Sequence, residues 1–244
     1  MNRKTDVIVI GAGLTGLTAA LAASRLGACV RLITAGAGAL SVSNGCIDLL
    51  GYADGRLVED PFAVMESLGR NHPYRLIGRE AVGRALDFLR GELKEACPLN
   101  GAANAEGRAV NALLPTVAGT LKPSWLFPDE LDPRPLFRAK KILVAGIRGL
   151  RDCSPALVAA GLGRQPALRG ADFQKTTLPD PFDGAHRAVS ALDIARFVGT
   201  DDGLGWLLTS LGRWAGQVDA ILLPPVCGCA AGGAFLFHVR FSCI

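Results

Sequence analysis

The chain has 244 residues, and because half of them are apolar and only 20% are charged, it contains enough apolar material for a sizeable core and is not a disordered polypeptide. Its 26 basic and 22 acidic residues are spread along the chain and leave a net charge of +4, which argues against nucleic acid as a partner. The 30 glycines follow no repeat and are typical of nucleotide-binding α/β folds, which need many tight turns.

The N-terminal residues predict a strand, a helix and a second strand around a glycine motif. Residues 6–10 are largely β-branched and predict one buried parallel strand, and residues 14–26 are rich in Ala and Leu and predict a helix. Residues 29–33 predict the second strand. A Gly-x-Gly-x-x-Gly motif runs from Gly11 to Gly16, directly after the first strand. This order within about thirty residues is the context of a dinucleotide-binding turn.

Each position of the glycine motif has a physical role. Gly11 allows the tight turn out of the strand, Gly13 lets the backbone approach a pyrophosphate, and Gly16 lets the helix pack closely on the sheet. Leu14 and Thr15 open the helix, whose first N–H groups have no partner within it and can bind phosphates. These five residues are therefore predicted to bind a cofactor, and the alternative is a glycine-rich turn without a ligand.

The loop after the second strand departs from the usual dinucleotide pattern. Thr34 stands where an acidic residue usually binds the ribose hydroxyls, so an adenosine ribose would be held by a hydroxyl group, by the backbone, or not at all. Ser43, Asn44 and Gly45 follow in a small polar loop. Their hydroxyl and N–H groups could approach a flat ring from its phosphate side, and the alternative is an ordinary polar turn.

The rest of the chain predicts a second α/β region. Residues 79–96 have an apolar stripe typical of a core-facing helix, whereas residues 97–138 are typical of loops with short strands. Residues 141–147 and 218–223 predict buried strands, and Ser154 is a typical N-cap for a helix between them. Alternating strands and helices favour a parallel sheet. The two long apolar stretches contain glycines or prolines, so no transmembrane segment is expected.

Several stretches resemble one protein family in the same order along the chain. They combine the glycine motif and the polar loop with later segments that include His-Pro-Tyr and Gly-Thr-Leu-Lys-Pro-Ser-Trp-Leu. The matching positions are Gly11, Gly13, Leu14, Gly16, Leu17, Thr34, Ala39, Leu40, Asn44, Gly45, Asp48, Leu49 and Leu50, followed by parts of 72–74, 119–126, 139–150, 187–197 and 221–224. Through them the chain resembles the B subunit of anaerobic glycerol-3-phosphate dehydrogenase, from about residue 5 to about residue 228.

The resemblance implies a fold and an activity. The expected fold is α/β, with a Rossmann-like FAD/NAD(P)-binding parallel sheet and a second α/β region. The implied reaction is the oxidation of sn-glycerol 3-phosphate to dihydroxyacetone phosphate, with electrons passed to a quinone. The enzyme's A subunit is expected to pair with this chain and to carry most of the substrate oxidation, which leaves electron transfer or assembly to the B subunit. An iron–sulfur C subunit would anchor the pair at the inner, cytoplasmic face of the plasma membrane.

The cofactor and the domain boundaries are also expectations. The resemblance implies FMN, whereas the glycine motif favours FAD because it is shaped for a pyrophosphate. Residues 1–70 are expected to form the N-terminal part of the flavin-binding domain and residues 71–228 the second α/β region. Residues 229–244 form an apolar tail without the family pattern, so a truncated or frame-shifted chain with an incomplete fold is expected. The alternatives are an inert fragment, or another FAD- or NAD-linked oxidoreductase that shares only the first unit.

Few side chains qualify as catalytic groups, and no catalytic residue is assigned, because in a flavin enzyme the hydride chemistry belongs to the ring. His72 and His186 are predicted to be structural. Lys122 either meets a phosphate or flavin carbonyl or, as the favoured interpretation, is a solvated surface residue. Chance spacing explains Cys227 and Cys229 better than a redox pair. Seven cysteines without a Cys-x-x-Cys pair predict free thiols in a reducing cytoplasm and no metal site.

Overall fold

The computed structural model describes residues 4–36, 38–182, 184 and 188–226. The chain divides into two compact units, Met1–Ser43 and Asn44–Ile244. The α/β fold class expected from the sequence is confirmed, since both units contain parallel strands connected by helices.

The N-terminal unit is a single β-α-β arrangement, as the sequence predicts. Strand β1 (Val7–Ile10) is followed by helix α1 (Leu14–Arg25) and strand β2 (Val30–Ile33). The two strands pair in parallel over their whole length, with β1 and β2 in register from first to last residue. A 3-10 turn, Gly38–Val42, follows β2 and completes the unit.

The prediction that the first strand is buried is wrong. Ile8 is 58% exposed and Ile10 84% exposed, and none of the described residues of this unit is buried. The reason is that, among the described residues of this unit, β1 and β2 form a two-stranded sheet with the single α-helix α1 packed on it. One helix on two strands covers too little surface to exclude water from either strand.

The second unit begins with small elements. Strands β3 (Tyr52–Ala53) and β4 (Arg56–Leu57) form a hairpin. Short helices α2 (Pro61–Val64) and α3 (Pro73–Ile77) precede the longer α4 (Arg79–Leu93). The apolar face of α4 packs as predicted, since Val82 belongs to a small core with Leu49 and Met65, against which Leu86 and Trp125 also pack.

The region predicted as loops with short strands consists of antiparallel pairs. These strands are β5 (Leu99–Asn100), β6 (Ala102–Ala103), β7 (Ala109–Val110), β8 (Ala112–Pro115), β9 (Leu121–Ser124) and β10 (Phe127–Pro128). They pair as β5 with β10, β6 with β7, and β8 with β9. A short helix, α5 (Arg134–Arg138), then leads to the main sheet.

The main core surrounds a three-stranded parallel sheet in the order β12-β11-β13. Its elements are β11 (Lys141–Ile147), α6 (Pro155–Leu162), β12 (Asp172–Leu178), α7 (Ala191–Val198), α8 (Asp201–Gly212) and β13 (Ala220–Leu222). The central strand is buried from its second residue to its last, with Ile142, Leu143, Val144 and Ala145 all 0% exposed. Continuous apolar burial of this kind is expected for a parallel strand that is covered on both faces.

Side-chain caps start the three helices around this sheet. The Ser154 hydroxyl accepts from the Leu157 N–H at 3.4 Å, which confirms the predicted N-cap. Ser190 and Thr200 cap α7 and α8 in the same way. Such caps satisfy N–H groups that have no partner inside the helix. Across the described residues, none of the helices has the length and apolar character needed to cross a bilayer.

Gly203 and Gly205 both lie in α8, and their surroundings predict opposite effects of an alanine substitution on the free energy of unfolding. Gly203 is buried, and a Cβ there would overlap the carbonyl oxygen of Phe197 and lie 2.8 Å from the Val198 Cα. Gly203→Ala is therefore expected to lower the free energy of unfolding by about 1–3 kcal/mol. Gly205 has open surroundings, so Gly205→Ala should raise it by about 0.5–1 kcal/mol. Urea denaturation of both variants checks this, and equal effects would contradict the close packing.

A carboxylate at the start of β13 predicts a pH-dependent stability. One oxygen of Asp219 accepts from the N–H groups of Lys141 at 2.9 Å and Lys140 at 2.8 Å, and these bonds lower the pKa of the carboxyl below its ordinary 3.8. A depressed folded-state pKa means that the stabilisation is present above the unfolded value and is lost as the pH falls through the folded value.

Asp219→Asn is therefore expected to destabilise the protein at pH 7, with a difference from the wild type that shrinks as the pH falls below 3.8. Urea midpoints measured between pH 7 and pH 3 check this dependence. Asp87→Asn, on the exposed surface of α4, is the matched control. A difference that stays constant with pH would contradict the assigned hydrogen bonds.

Candidate functional site

The glycine turn of the N-terminal unit has the geometry that its motif predicts. Gly11 follows β1 with φ +103°, and its N–H donates to the carbonyl of Ile33 at 2.8 Å. At Gly16 a Cβ would overlap the carbonyl oxygen of Gly11 and lie 3.5 Å from Val9 Cγ1. The helix thus approaches the strand at a distance that only glycine permits.

Gly13 leaves space at the head of α1. It is the N-cap residue of the helix, and no atom lies within 4 Å of the place where its Cβ would be. No side chain caps this end, and the first turn contains no acidic residue. Leu14 and Thr15 begin the helix and are exposed. The open approach and the positive end of the helix dipole fit a pyrophosphate group.

Two residues of the loop after β2 make different contacts: Thr34 bonds within its own loop, whereas Gly38 lies close to the glycine turn. The Thr34 hydroxyl accepts from the Gly36 N–H at 3.1 Å and donates to the Gly36 carbonyl, so its hydrogen bonds stay within its own loop. Gly38 has φ +65°, and a Cβ there would lie 3.2 Å from Gly13 Cα. Gly38 is not among the residues predicted from the motif, although the Gly-Ala-Gly run after Thr34 signals a close approach.

The polar loop begins at the boundary between the units. Ser43 ends the N-terminal unit, and Asn44 and Gly45 open the second one. Asn44 Oδ1 accepts from the Cys46 N–H at 3.0 Å, and Gly45 has φ +76°. The structure therefore brings Gly11, Gly13, Leu14, Thr15 and Gly16 into one turn, and Asn44 and Gly45 into another loop. Their role in cofactor binding stays a prediction.

The segment after Gly45 is hydrogen-bonded to the residues that directly follow β9. Ile47 forms an antiparallel bridge with Leu126, in which the Ile47 N–H donates to the Leu126 carbonyl at 2.8 Å. The N–H groups of Trp125 and Leu126 both donate to the Ile47 carbonyl at 3.0 Å. One residue further, Asp48 accepts from Lys122 Nζ through both carboxylate oxygens, at 2.9 and 2.7 Å.

Lys122 therefore differs from the solvated surface lysine favoured by the sequence. Its side chain is 31% exposed, and that of Asp48 is 52% exposed. A cleft joins Lys122 to Asn44 and to apolar residues of the second unit. Its other lining residues are Leu114, Pro115, Glu130, Leu131, Asp132, Pro133, Leu136 and Leu222. Spacing alone could not reveal the pair, because its members are 74 residues apart.

The Cys46 thiol lies in the same loop and is protonated at neutral pH. Burial raises the pKa of Cys46 from 9.0 to about 11, and the neighbouring Lys122 and Ser124 offset only part of that effect. Ser124 itself is 0% exposed, and its hydroxyl donates to the Leu126 carbonyl at 3.2 Å. Removing a thiol from water disfavours its charged form, so Cys46 is unsuited to nucleophilic chemistry here.

The other candidate groups have structural roles or lie outside the described residues. His72 Nδ1 accepts from the Tyr74 N–H at 3.2 Å and caps α3, which agrees with the structural role predicted for it. His186, Cys227 and Cys229 lie outside the described residues, as do residues 229–244.

Comparison with known families identifies the class of protein. The family model described as "FAD binding domain" matches residues 6–239, and the chain belongs to this family. The assignment supports FAD, one of the two flavins expected from the sequence.

Among curated proteins, the chain is similar to several that are named as the B subunit of "Anaerobic glycerol-3-phosphate dehydrogenase". The Vibrio cholerae protein is 33% identical over 233 residues, which are 91% of this chain and 52% of the relative. The Yersinia enterocolitica protein is 31% identical over 232 residues, 92% of this chain and 54% of the relative. The resemblance drawn from the motifs is thus confirmed, and the chain spans about half the length of these relatives. No solved structure matches the chain.

The environment of Cys46 predicts slow alkylation of the native protein. A pKa of about 11 in place of 9.0 lowers the thiolate population at pH 7 about a hundredfold. Iodoacetamide should therefore label Cys46 much faster in urea than in the native state, which mass spectrometry of the tryptic peptides measures. Burial also raises the pKa of Cys153 to about 11, so this thiol should likewise be labelled faster in urea than in the native state. Equal rates in both states would contradict the described burial.

Proposed function

We propose that this chain binds FAD, with the pyrophosphate at the head of α1. The observation that carries the proposal is the unobstructed Gly13 at an uncapped, acid-free helix start. A phosphate there would accept hydrogen bonds from N–H groups of the first helical turn, including those of Leu14 and Thr15. The match of the FAD binding domain family across residues 6–239 supports the same cofactor.

The adenosine half of FAD would be held by main-chain groups. Thr34 brings no carboxylate, and its hydroxyl is already engaged with Gly36. The loop that continues to Gly38 lies against Gly13 and carries backbone N–H and carbonyl groups. FMN lacks the adenosine half and would bring only one phosphate group to a turn that has room for a pyrophosphate. We therefore favour FAD over FMN.

The polar loop at 43–45 would contribute hydrogen bonds to the flavin ring. Bound FAD supplies two-electron redox chemistry, and this chain's own residues bind and orient it. The Asn44 side chain is tied to this loop, since its Oδ1 accepts from the Cys46 N–H at 3.0 Å. Gly45 is near the Pro128 ring, because a Cβ there would lie 3.5 Å from Pro128 Cγ. A loop fixed in this way orients donors before the ligand arrives, which lowers the entropic cost of binding.

The activity of the whole protein is proposed from the relatives. They are named as one subunit of an anaerobic glycerol-3-phosphate dehydrogenase, at 31–33% identity. We infer a flavin-linked oxidation of sn-glycerol 3-phosphate to dihydroxyacetone phosphate, with a quinone as the electron acceptor. The A subunit of that enzyme and its iron–sulfur C subunit are the proposed partners, and the latter would hold the assembly at the inner face of the plasma membrane. Residues 1–70 and 71–228 are the proposed division into flavin-binding and second regions.

Gly13→Ala tests the pyrophosphate site. The apoprotein should fold unchanged, because nothing lies within 4 Å of the added Cβ, whereas the methyl group would collide with a bound phosphate. A collision of about 1–3 kcal/mol predicts FAD affinity about five- to a hundredfold weaker. Titration followed by flavin fluorescence measures the affinity, and urea denaturation measures the fold.

Gly83→Ala is the matched control, because Gly83 lies in α4 of the second unit and its surroundings are equally open. It should leave the FAD affinity unchanged. The purified wild type is expected to carry FAD, released by heat and identified by chromatography. A wild type that takes up no flavin, or a Gly13→Ala variant that binds FAD as tightly, would contradict the proposal.

A further inference from the structure

We propose that Lys122 is a positioning residue for the polar loop, which it holds in place through Asp48. The inference rests on the proposed function in one respect, namely that this loop contacts the flavin. The role differs from both sequence-based interpretations of Lys122, a direct contact to a phosphate or flavin carbonyl and a solvated surface lysine. It follows from the ion pair with Asp48 and from the attachment of the loop to β9.

The first attachment of the loop is its bridge to the segment after β9. Three main-chain hydrogen bonds of 2.8 to 3.0 Å join Ile47 to Trp125 and Leu126. A single bridge fixes the position of one residue but allows the chain on either side to turn about it. A second attachment beside the bridge is needed to fix the direction in which the chain runs from Ile47 to Asn44 and Gly45.

The ion pair of Lys122 and Asp48 provides that second attachment. Both carboxylate oxygens of Asp48 accept from Nζ, at 2.9 and 2.7 Å, one residue beyond the bridge. Lys122 is itself fixed at its base, because it lies within β9 and pairs with Leu114 of β8. The two attachments are adjacent on the loop and lie four residues apart on the opposite segment, at 122 and 126, so together they resist rotation.

Two further observations place Lys122 beside the rest of the loop. Its charge acts on the Cys46 thiol, whose pKa it lowers against the larger effect of burial. It also lines the same cleft as Asn44. Lys122 thus pairs with Asp48, acts electrostatically on Cys46 and shares a cleft with Asn44, so one side chain is linked to three of the five residues from Asn44 to Asp48.

The charge balance of the pair favours positioning over ligand binding. Asp48 neutralises Lys122 at close range, so the ammonium group has little net attraction left for an anion. A lysine meant to hold a phosphate directly would be weakened by a bidentate carboxylate partner. The same pairing serves well to fix a loop, because a carboxylate held through both oxygens has a defined orientation.

The test compares Lys122→Met with Asp48→Asn, the variant carrying both substitutions, and the charge swap Asp48→Lys with Lys122→Asp. Lys175→Met, at an exposed position of β12 in the same unit, is the matched control. Hydrogen exchange of the apoprotein, read by mass spectrometry over residues 44–48, reports the order of the loop without cofactor. Fluorescence titration with FAD and the visible spectrum of the bound flavin report the consequence for the site.

We expect faster exchange over residues 44–48 in Lys122→Met and Asp48→Asn, and FAD affinity about two- to fivefold weaker, as for a partly exposed ion pair. The double variant should be no worse than either single one, because both remove the same pair. The charge swap should restore slow exchange. The bound flavin spectrum should shift in the single variants and remain unchanged in Lys175→Met.

Unchanged exchange in Lys122→Met and in Asp48→Asn would overturn the proposal, as would additive losses in the double variant. Weaker FAD binding without faster exchange would point to direct contact between Lys122 and the ligand, and would also overturn it. A wild type that binds no FAD would refute the proposed function. In that case the exchange measurements still decide whether Lys122 orders the loop.

Discussion

Close approach between backbones, made possible by missing Cβ atoms, is the constraint on which both units depend. In the N-terminal unit α1 meets the end of β1 at Gly16 and Gly11, where a methyl group would overlap a carbonyl oxygen. In the second unit, the turn at Gly119 lies close to α6, and a Cβ on Gly161 of that helix would come within 2.8 Å of the Gly119 Cα. The unusual glycine content is therefore used for packing as well as for turning.

The two candidate loops are shaped by different means. The turn at Gly11 to Gly16 needs no side-chain hydrogen bond, since its form follows from local backbone geometry and from the space that glycine leaves. The loop at Asn44 to Asp48 depends on groups that come from far along the chain: the carbonyl of Leu126 and the ammonium group of Lys122.

Local signals made part of this structure predictable from the sequence. The β-α-β unit, the helix at α4, the buried strand β11 and the Ser154 cap all depend on neighbouring residues, and all are found. Burial of β1 could not be predicted this way, because it depends on what covers the strand. The pairing of β5 with β10 and the ion pair of Lys122 with Asp48 could not be predicted either, because their partners are far apart in the sequence and are brought together only by the fold.

The exposure of the N-terminal unit has a thermodynamic consequence. Because none of its described residues is buried, the ordering of this unit gains little from the hydrophobic effect, while the conformational entropy of its residues still opposes it. A ligand that binds only the ordered form stabilises it in proportion to the logarithm of its free concentration over its dissociation constant. For a cofactor bound at the head of α1, the ordered population of this unit would therefore follow the supply of flavin.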